Sequence, residues 1–178
     1  MFRKTVKFLG LGLFSISLIA LDGCGPFWVN PYIAVKESQL NWVEIHYYNL
    51  NRKPIRRTSV YINGVGHVQV KKGTSDLVSN DFAKNHTDAQ WGNIKTYRVN
   101  ADPKHVNDIF QHLVNYGLLD NEKFFKKGKK KDRYDRFIAV KANMNNRSFN
   151  EPDNIFEVDP ELAEQLLDVV REFTPPTF

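Results

Sequence analysis

Residues 58–70 read Thr58-Ser59-Val60-Tyr61-Ile62-Asn63-Gly64-Val65-Gly66-His67-Val68-Gln69-Val70. Two β-branched, alternating runs flank Asn63-Gly64. Asn-Gly supplies the two positive-φ positions of a type I′ turn, whose twist matches that of a hairpin. The stretch therefore predicts a β-hairpin, with Val60 and Ile62 on one face and Val68 and Val70 beside them. Upstream, Trp42–Leu50 alternates Val43, Ile45 and Tyr47 against Glu44, His46 and Tyr48, the pattern of a half-buried strand. Downstream, 71–93 is polar and irregular, 81–89 suits a short helical turn, and Ile94–Val99 reads as another strand.

Asp102-Pro103 combines an N-cap residue with proline at the first helical position. Val106, Ile109, Phe110, Leu113 and Val114 then recur at helical spacing and form one apolar stripe, with Gly117 as a stop and Leu118 and Leu119 beneath that end. Arg136–Asn143 resumes alternation. A turn near Asn145-Asn146 returns the chain through Phe149 towards Ile155-Phe156. Asp159-Pro160 starts a second helix, with a stripe of Leu162, Leu166, Val169, Val170 and Phe173 that ends before Pro175-Pro176. Strand, hairpin, strand, helix, hairpin, helix predicts an α+β fold. The expectation is a two-layer sandwich, a mostly antiparallel sheet with two helices on one face. The domain is expected to span 42–178.

The first 23 residues have another purpose. Arg3, Lys4 and Lys7 precede an apolar run, Phe8–Ala20, of 13 residues, short of the roughly 20 that span a bilayer. A cationic start and a short apolar run form the pattern of a secretory signal. Leu21-Asp22-Gly23-Cys24 resembles the lipobox of bacterial lipoproteins, with leucine three residues before the cysteine and a small residue directly before it. Asp22 departs from the small or apolar residue usual there. The resemblance covers the first 24 residues alone. It implies removal of 1–23, a diacylglyceryl thioether on Cys24 with further acylation (palmitate chemistry), and attachment to the cell-envelope membrane facing periplasm or exterior. Gly25, in place of an acidic residue, implies the outer membrane where the host has one. The residues themselves also allow a signal cleaved without lipid, or an uncleaved anchor.

Cleavage would leave 155 residues, one ordinary domain. The chain carries +5 and that mature part +3, which makes nucleic acid an unlikely partner. One cysteine forms no internal disulfide. Gly25–Asn41 reads as a lipid-anchored tether, 24–41, broken by Gly25, Pro26 and Pro31. Its rings Phe27, Trp28 and Tyr32 suit either lipid headgroups or packing back onto the domain.

Residues 123–133 hold seven cations against one anion. Lys126, Lys127, Lys129, Lys130, Lys131 and Arg133 could bind an anionic lipid or glycolipid, and the alternative is a solvated loop. An envelope protein is a further candidate partner. His46, His67, His86, His105 and His112 show no metal spacing, and no cofactor is expected. No nucleophile elbow, His-Glu-x-x-His or phosphate loop is present. The expectation is a non-catalytic binding or structural module, with an unrecognised enzyme as the alternative.

Overall fold

The computed structural model describes residues 33–75, 91–120, 135–151 and 153–176. Within them the strands are β1 (Trp42–Asn49), β2 (Ile55–Asn63), β3 (His67–Ser75), β4 (Gly92–Asn100), β5 (Arg136–Met144) and β6 (Arg147–Glu151). The helices are α1 (Pro103–Asn115), α2 (Ile155–Val158) and α3 (Pro160–Phe173). The strands form one antiparallel sheet in the order β4-β3-β2-β1-β5-β6. The chain meanders outward from β1 to the β4 edge, returns through α1, and lays β5 on the free side of β1. The α+β expectation holds.

Alternation decides the faces. Val43, Ile45, Val60, Ile62, Val68, Val70, Ile138, Val140 and Ala142 point to one side, where they share a single buried cluster with both helix stripes. The α1 stripe is Val106, Ile109, Phe110, Leu113 and Val114, as read from spacing. The α3 stripe adds Ala163 and Leu167 to the expected leucines and valines, while Phe173 is only partly buried. Each large aliphatic or aromatic side chain so buried contributes about 1.5–3 kcal/mol. Both helices start as their Asp-Pro pairs require. Asp102 accepts from the Lys104 N–H and Asp159 from the Leu162 N–H, each at 3.1 Å. Gly117, at φ 98°, closes α1 with Leu118 N–H donating to Leu113 O and its own N–H to Val114 O, the paired bonds of a Schellman ending.

The turns correct the sequence reading. The positive φ of the β2–β3 hairpin falls on Gly66 (89°), not on Asn63 or Gly64. Gly66 N–H donates to Asn63 O at 2.9 Å, and the Asn63 side chain accepts from the N–H groups of Val65 and His67. This is a three-residue loop ending in a left-handed glycine, an alternative hairpin solution to the type I′ turn. Gly64 is needed for a close approach instead: a Cβ there would stand 1.9 Å from Ser38 O. The two consecutive left-handed residues occur at Asn145 (52°) and Asn146 (62°), in the two-residue turn between β5 and β6.

Other boundaries also differ. β2 begins at Ile55 and β3 continues to Ser75, so the strands extend into stretches that read as breaks. Ile155-Phe156 belongs to a helical turn capped by Asn154, not to a strand. Residues 33–41 lie against the turn end of the sheet. Val35 is in the core and its N–H donates to Gln111 Oε1, while Asn145 Nδ2 donates to Ala34 O and Gly64 N–H to Asn41 O.

Candidate functional site

The outer face of the sheet is covered by no helix among the described residues, yet its middle is buried and polar. Strand register sets its contents in rows. One row runs Lys141, Glu44, Tyr61, Gln69, Arg98, and the next runs Ala139, His46, Ser59, Lys71, Thr96. A third joins Phe137, Tyr48, Arg57 and Gly73. Glu44, His46, Arg57, Ser59, Tyr61, Gln69, Lys71 and Trp91 enclose a basin of about 250 Å³.

Arg57 is its base. The residue is 1% exposed, and its guanidinium carbon lies 3.8 Å from the centre of the Trp91 ring and 5.3 Å from that of Tyr48. A desolvated cation between ring faces gains about 2 kcal/mol or more. Tyr48 is in turn edge-on to Phe137, and these with Ala139 form a second, smaller apolar cluster. Gly73 makes the clamp possible. Its register with β4 is irregular between Lys72 and Thr74, and a Cβ on it would stand 2.7 Å from Gly92 O and 3.1 Å from the Trp91 ring. A bulge with glycine at its centre therefore lets Trp91 reach across β3 to Arg57. The Trp91 Nε1 is buried with no hydrogen-bond partner among the described residues.

The electrostatics favour neutral hydroxyls beside fixed charges. Burial pushes the Tyr48 hydroxyl up to about 12, against the opposing pull of Arg57. Burial, then the Glu44 carboxylate, raises Tyr61. His46 is 2% exposed, and its Nε2 lies 3.5 Å from Glu44 Oε1, an electrostatic approach longer than an ordinary hydrogen bond. The Gln69 amide oxygen accepts from Arg98 Nε and Nη2 at 3.1 Å. Ser59 stands opposite His46 in the register. The arrangement suits recognition: donors and a carboxylate around a held cation.

Cys24, the 126–133 cations, the rings of 27–32, the helical turn at 81–89 and His86 all lie outside the described residues. The other histidines are separated. His67 pairs with Asn100 at 2.8 Å, His105 with Glu172 at 2.6 Å and His112 with Gln165 at 2.7 Å. Among the described residues no group of three or more His, Cys, Asp or Glu could hold a metal ion, and no helix is long and apolar enough to cross a membrane. Arg57 gives no sequence signal of its own, because Ile55-Arg56-Arg57 precedes the alternating run that marks the hairpin. Trp91 gives none either, because nothing local announces a ring that acts across a bulge. No family model, curated protein or solved structure matches the chain.

Proposed function

We propose that this chain is a bacterial envelope lipoprotein, anchored by lipid on Cys24, whose α+β domain binds a ligand through the outer sheet face and performs no catalysis. The observation that carries the binding role is Arg57, a buried cation clamped by Trp91 and Tyr48 at the base of a polar basin. Burying an arginine is costly for stability alone, and an apolar residue of like volume would fill the same space at lower cost. The anchor is supported by the Leu21-Asp22-Gly23-Cys24 pattern behind a cationic, apolar leader. Two or more acyl chains give durable attachment. The expected partner is an envelope protein or an anionic lipid or glycolipid.

A second reading places anion binding on 123–133, supported by its seven cations and one anion. Replacing Lys126, Lys127, Lys129, Lys130, Lys131 and Arg133 with Ser should then abolish salt-sensitive binding to anionic liposomes. Unchanged binding excludes it.

The anchor is tested by the intact mass of protein extracted from host membranes, beside Cys24→Ser. The expected mass is Cys24–Phe178 plus lipid, absent from the variant. A mature chain without lipid overturns the anchor. The binding role is tested by Trp91 fluorescence during titration with small anions and oligosaccharides, with Trp91→Phe as the blank. A saturable change that Arg57→Met removes is expected. No response across the set, or turnover that depends on Ser59 or His46, contradicts it.

A further inference from the structure

Leu40 and Val65 are large apolar residues at turn tips, exposed to 60% and 42%. Leu40 lies in the turn at 38–41 and Val65 in the loop between β2 and β3. The two turns are fastened to each other. Gly64 N–H donates to Asn41 O at 2.8 Å, and Gly64 sits so close to Ser38 O that a Cβ on it would collide. Each apolar residue is therefore next in sequence to one partner of that bond. Neither tip is slack. Leu40 N–H donates to Ser38 Oγ at 3.2 Å, and Leu40 O accepts from Asn143 Nδ2 at 2.9 Å. Val65 N–H donates to Asn63 Oδ1 at 3.3 Å, and the left-handed Gly66 closes that loop. A single exposed apolar side chain is ordinary, whereas two fixed on adjoining turns form a surface that invites a partner.

The course of the chain says which partner. Residues 33–41 join the domain at this same end. Gln111 Nε2 donates to Ile33 O at 3.1 Å, Asn145 Nδ2 to Ala34 O at 2.8 Å, and Asn145 N–H to Asn41 Oδ1 at 3.0 Å. Only nine peptide steps (33 − 24) separate Cys24 from Ile33. Fully extended they reach at most about 32 Å. From Asn63 to Arg56, β2 runs about 23 Å towards the other end of the sheet. Ile94, exposed to 41%, lies at that far end beside Gly73. A lipid on Cys24 thus reaches the tips of Leu40 and Val65 first.

We propose that this turn end of the domain rests on the bilayer that holds the Cys24 lipid, with Leu40 and Val65 dipping into its interfacial layer. The proposal rests on the anchor reading. Two side chains are too few to bring a free domain to a membrane. A tether this short keeps them at high effective concentration beside the lipid, so a contact that is weak alone becomes occupied. Lys36, Lys104 and Arg147 share this end with Glu37 and Asp102, so apolar insertion, not headgroup charge, is the attraction. The sheet then stands on its turns, with Arg57 and Trp91 towards the end that faces away from the lipid.

The test uses the lipid-bearing chain, reconstituted into phosphatidylcholine–phosphatidylglycerol vesicles whose acyl chains carry spin labels. The thioether blocks Cys24, so Val65→Cys and Ile94→Cys each present one thiol for an environment-sensitive dye. Lipid quenching at 65 should exceed that at 94 at least about threefold, and Leu40→Glu should cut the signal at 65 by about half. High salt should leave both intact, because the attraction is apolar. Should Leu40→Glu misfold, the comparison of 65 with 94 decides without it. Flotation with the vesicles reports the anchor separately. A chain that floats but is quenched equally at both positions, or more at 94, overturns the docking alone. A chain that carries no lipid and does not float overturns the docking and the anchor together. A dye at 65 that is blue-shifted yet not quenched by the lipids also overturns the docking. It assigns the tips to a second copy where the shift grows with protein density, and to residues 25–32 of the same chain where it does not.

Discussion

Residues 151–173 carry eight carboxylates and one arginine, whereas residues 50–100 carry nine Lys or Arg and three Asp. The acidic stretch uses its charges locally. Asp159 caps α3, Glu151 accepts from the Asp153 N–H at 2.9 Å, and Glu164 meets Arg136 at 2.9 Å. Asp168 pairs with Arg171 at 2.8 Å and Glu172 with His105 at 2.6 Å. Exposed pairs of this kind are each worth under about 1 kcal/mol, but together they leave few carboxylates without a task. The basic stretch is arranged differently. One cation is buried against two rings at the base of the outer-face basin, and two face each other across β3 and β4. The acidic stretch thus places its charges in caps and exposed ion pairs, whereas the basic stretch carries one of its charges into the interior of a polar basin.

That contrast can be broken at the buried cation first. Arg57→Ala should cost about 2–4 kcal/mol in urea denaturation, since it empties the space between Trp91 and Tyr48 and removes the stacking. Arg57→Met, which keeps the volume, should cost clearly less while removing ligand binding. If both variants were as stable as the parent, Arg57 would not organise the basin.

Alkaline titration is the next largest effect. The Tyr48 hydroxyl is raised to about 12 by burial, so between roughly pH 10 and 12 the unfolded chain loses a proton that the folded chain keeps. The unfolded state then binds fewer protons, and stability falls with rising pH across that window, by at most about 2–3 kcal/mol. Tyr48→Phe should flatten that fall. Lys72 acts in the opposite sense. Its depressed ammonium is relieved as pH climbs through its folded value towards 10.5, a smaller gain because the group is partly solvated. A Tyr48→Phe protein with an unchanged alkaline limb would exclude Tyr48 as the source.

On the acidic side, Asp159→Ala should cost about 1 kcal/mol through the lost cap, measured by thermal melting with no effect on the Trp91-reported binding. A change in binding instead would mean that the two stretches are coupled.

Much of this fold was legible because its signals are local. The Asp102-Pro103 and Asp159-Pro160 pairs, the stripes from Val106 and Leu162, and the alternation of β1 and β5 each follow from a single element's own residues. The hairpin was legible too, but its turn was not. Asn63-Gly64 matches a type I′ turn on paper, and the approach of Ser38 and the conformation of Gly66 decide otherwise. Both are tertiary facts. The outer face was read as simply the polar side of half-buried strands, yet His46, Tyr48 and Arg57 are among the most buried residues. Their burial depends on Trp91 crossing a bulge at Gly73, which no periodicity encodes.

Arg57 is a cation buried at a cost to the fold at the base of a polar basin, and Arg57→Met tests its role most directly in one protein. An apolar chain of similar volume should leave stability in urea nearly unchanged and abolish the saturable Trp91 fluorescence change. Stability kept and binding lost is the expected result. A variant that keeps its stability and binds as the parent does would contradict it.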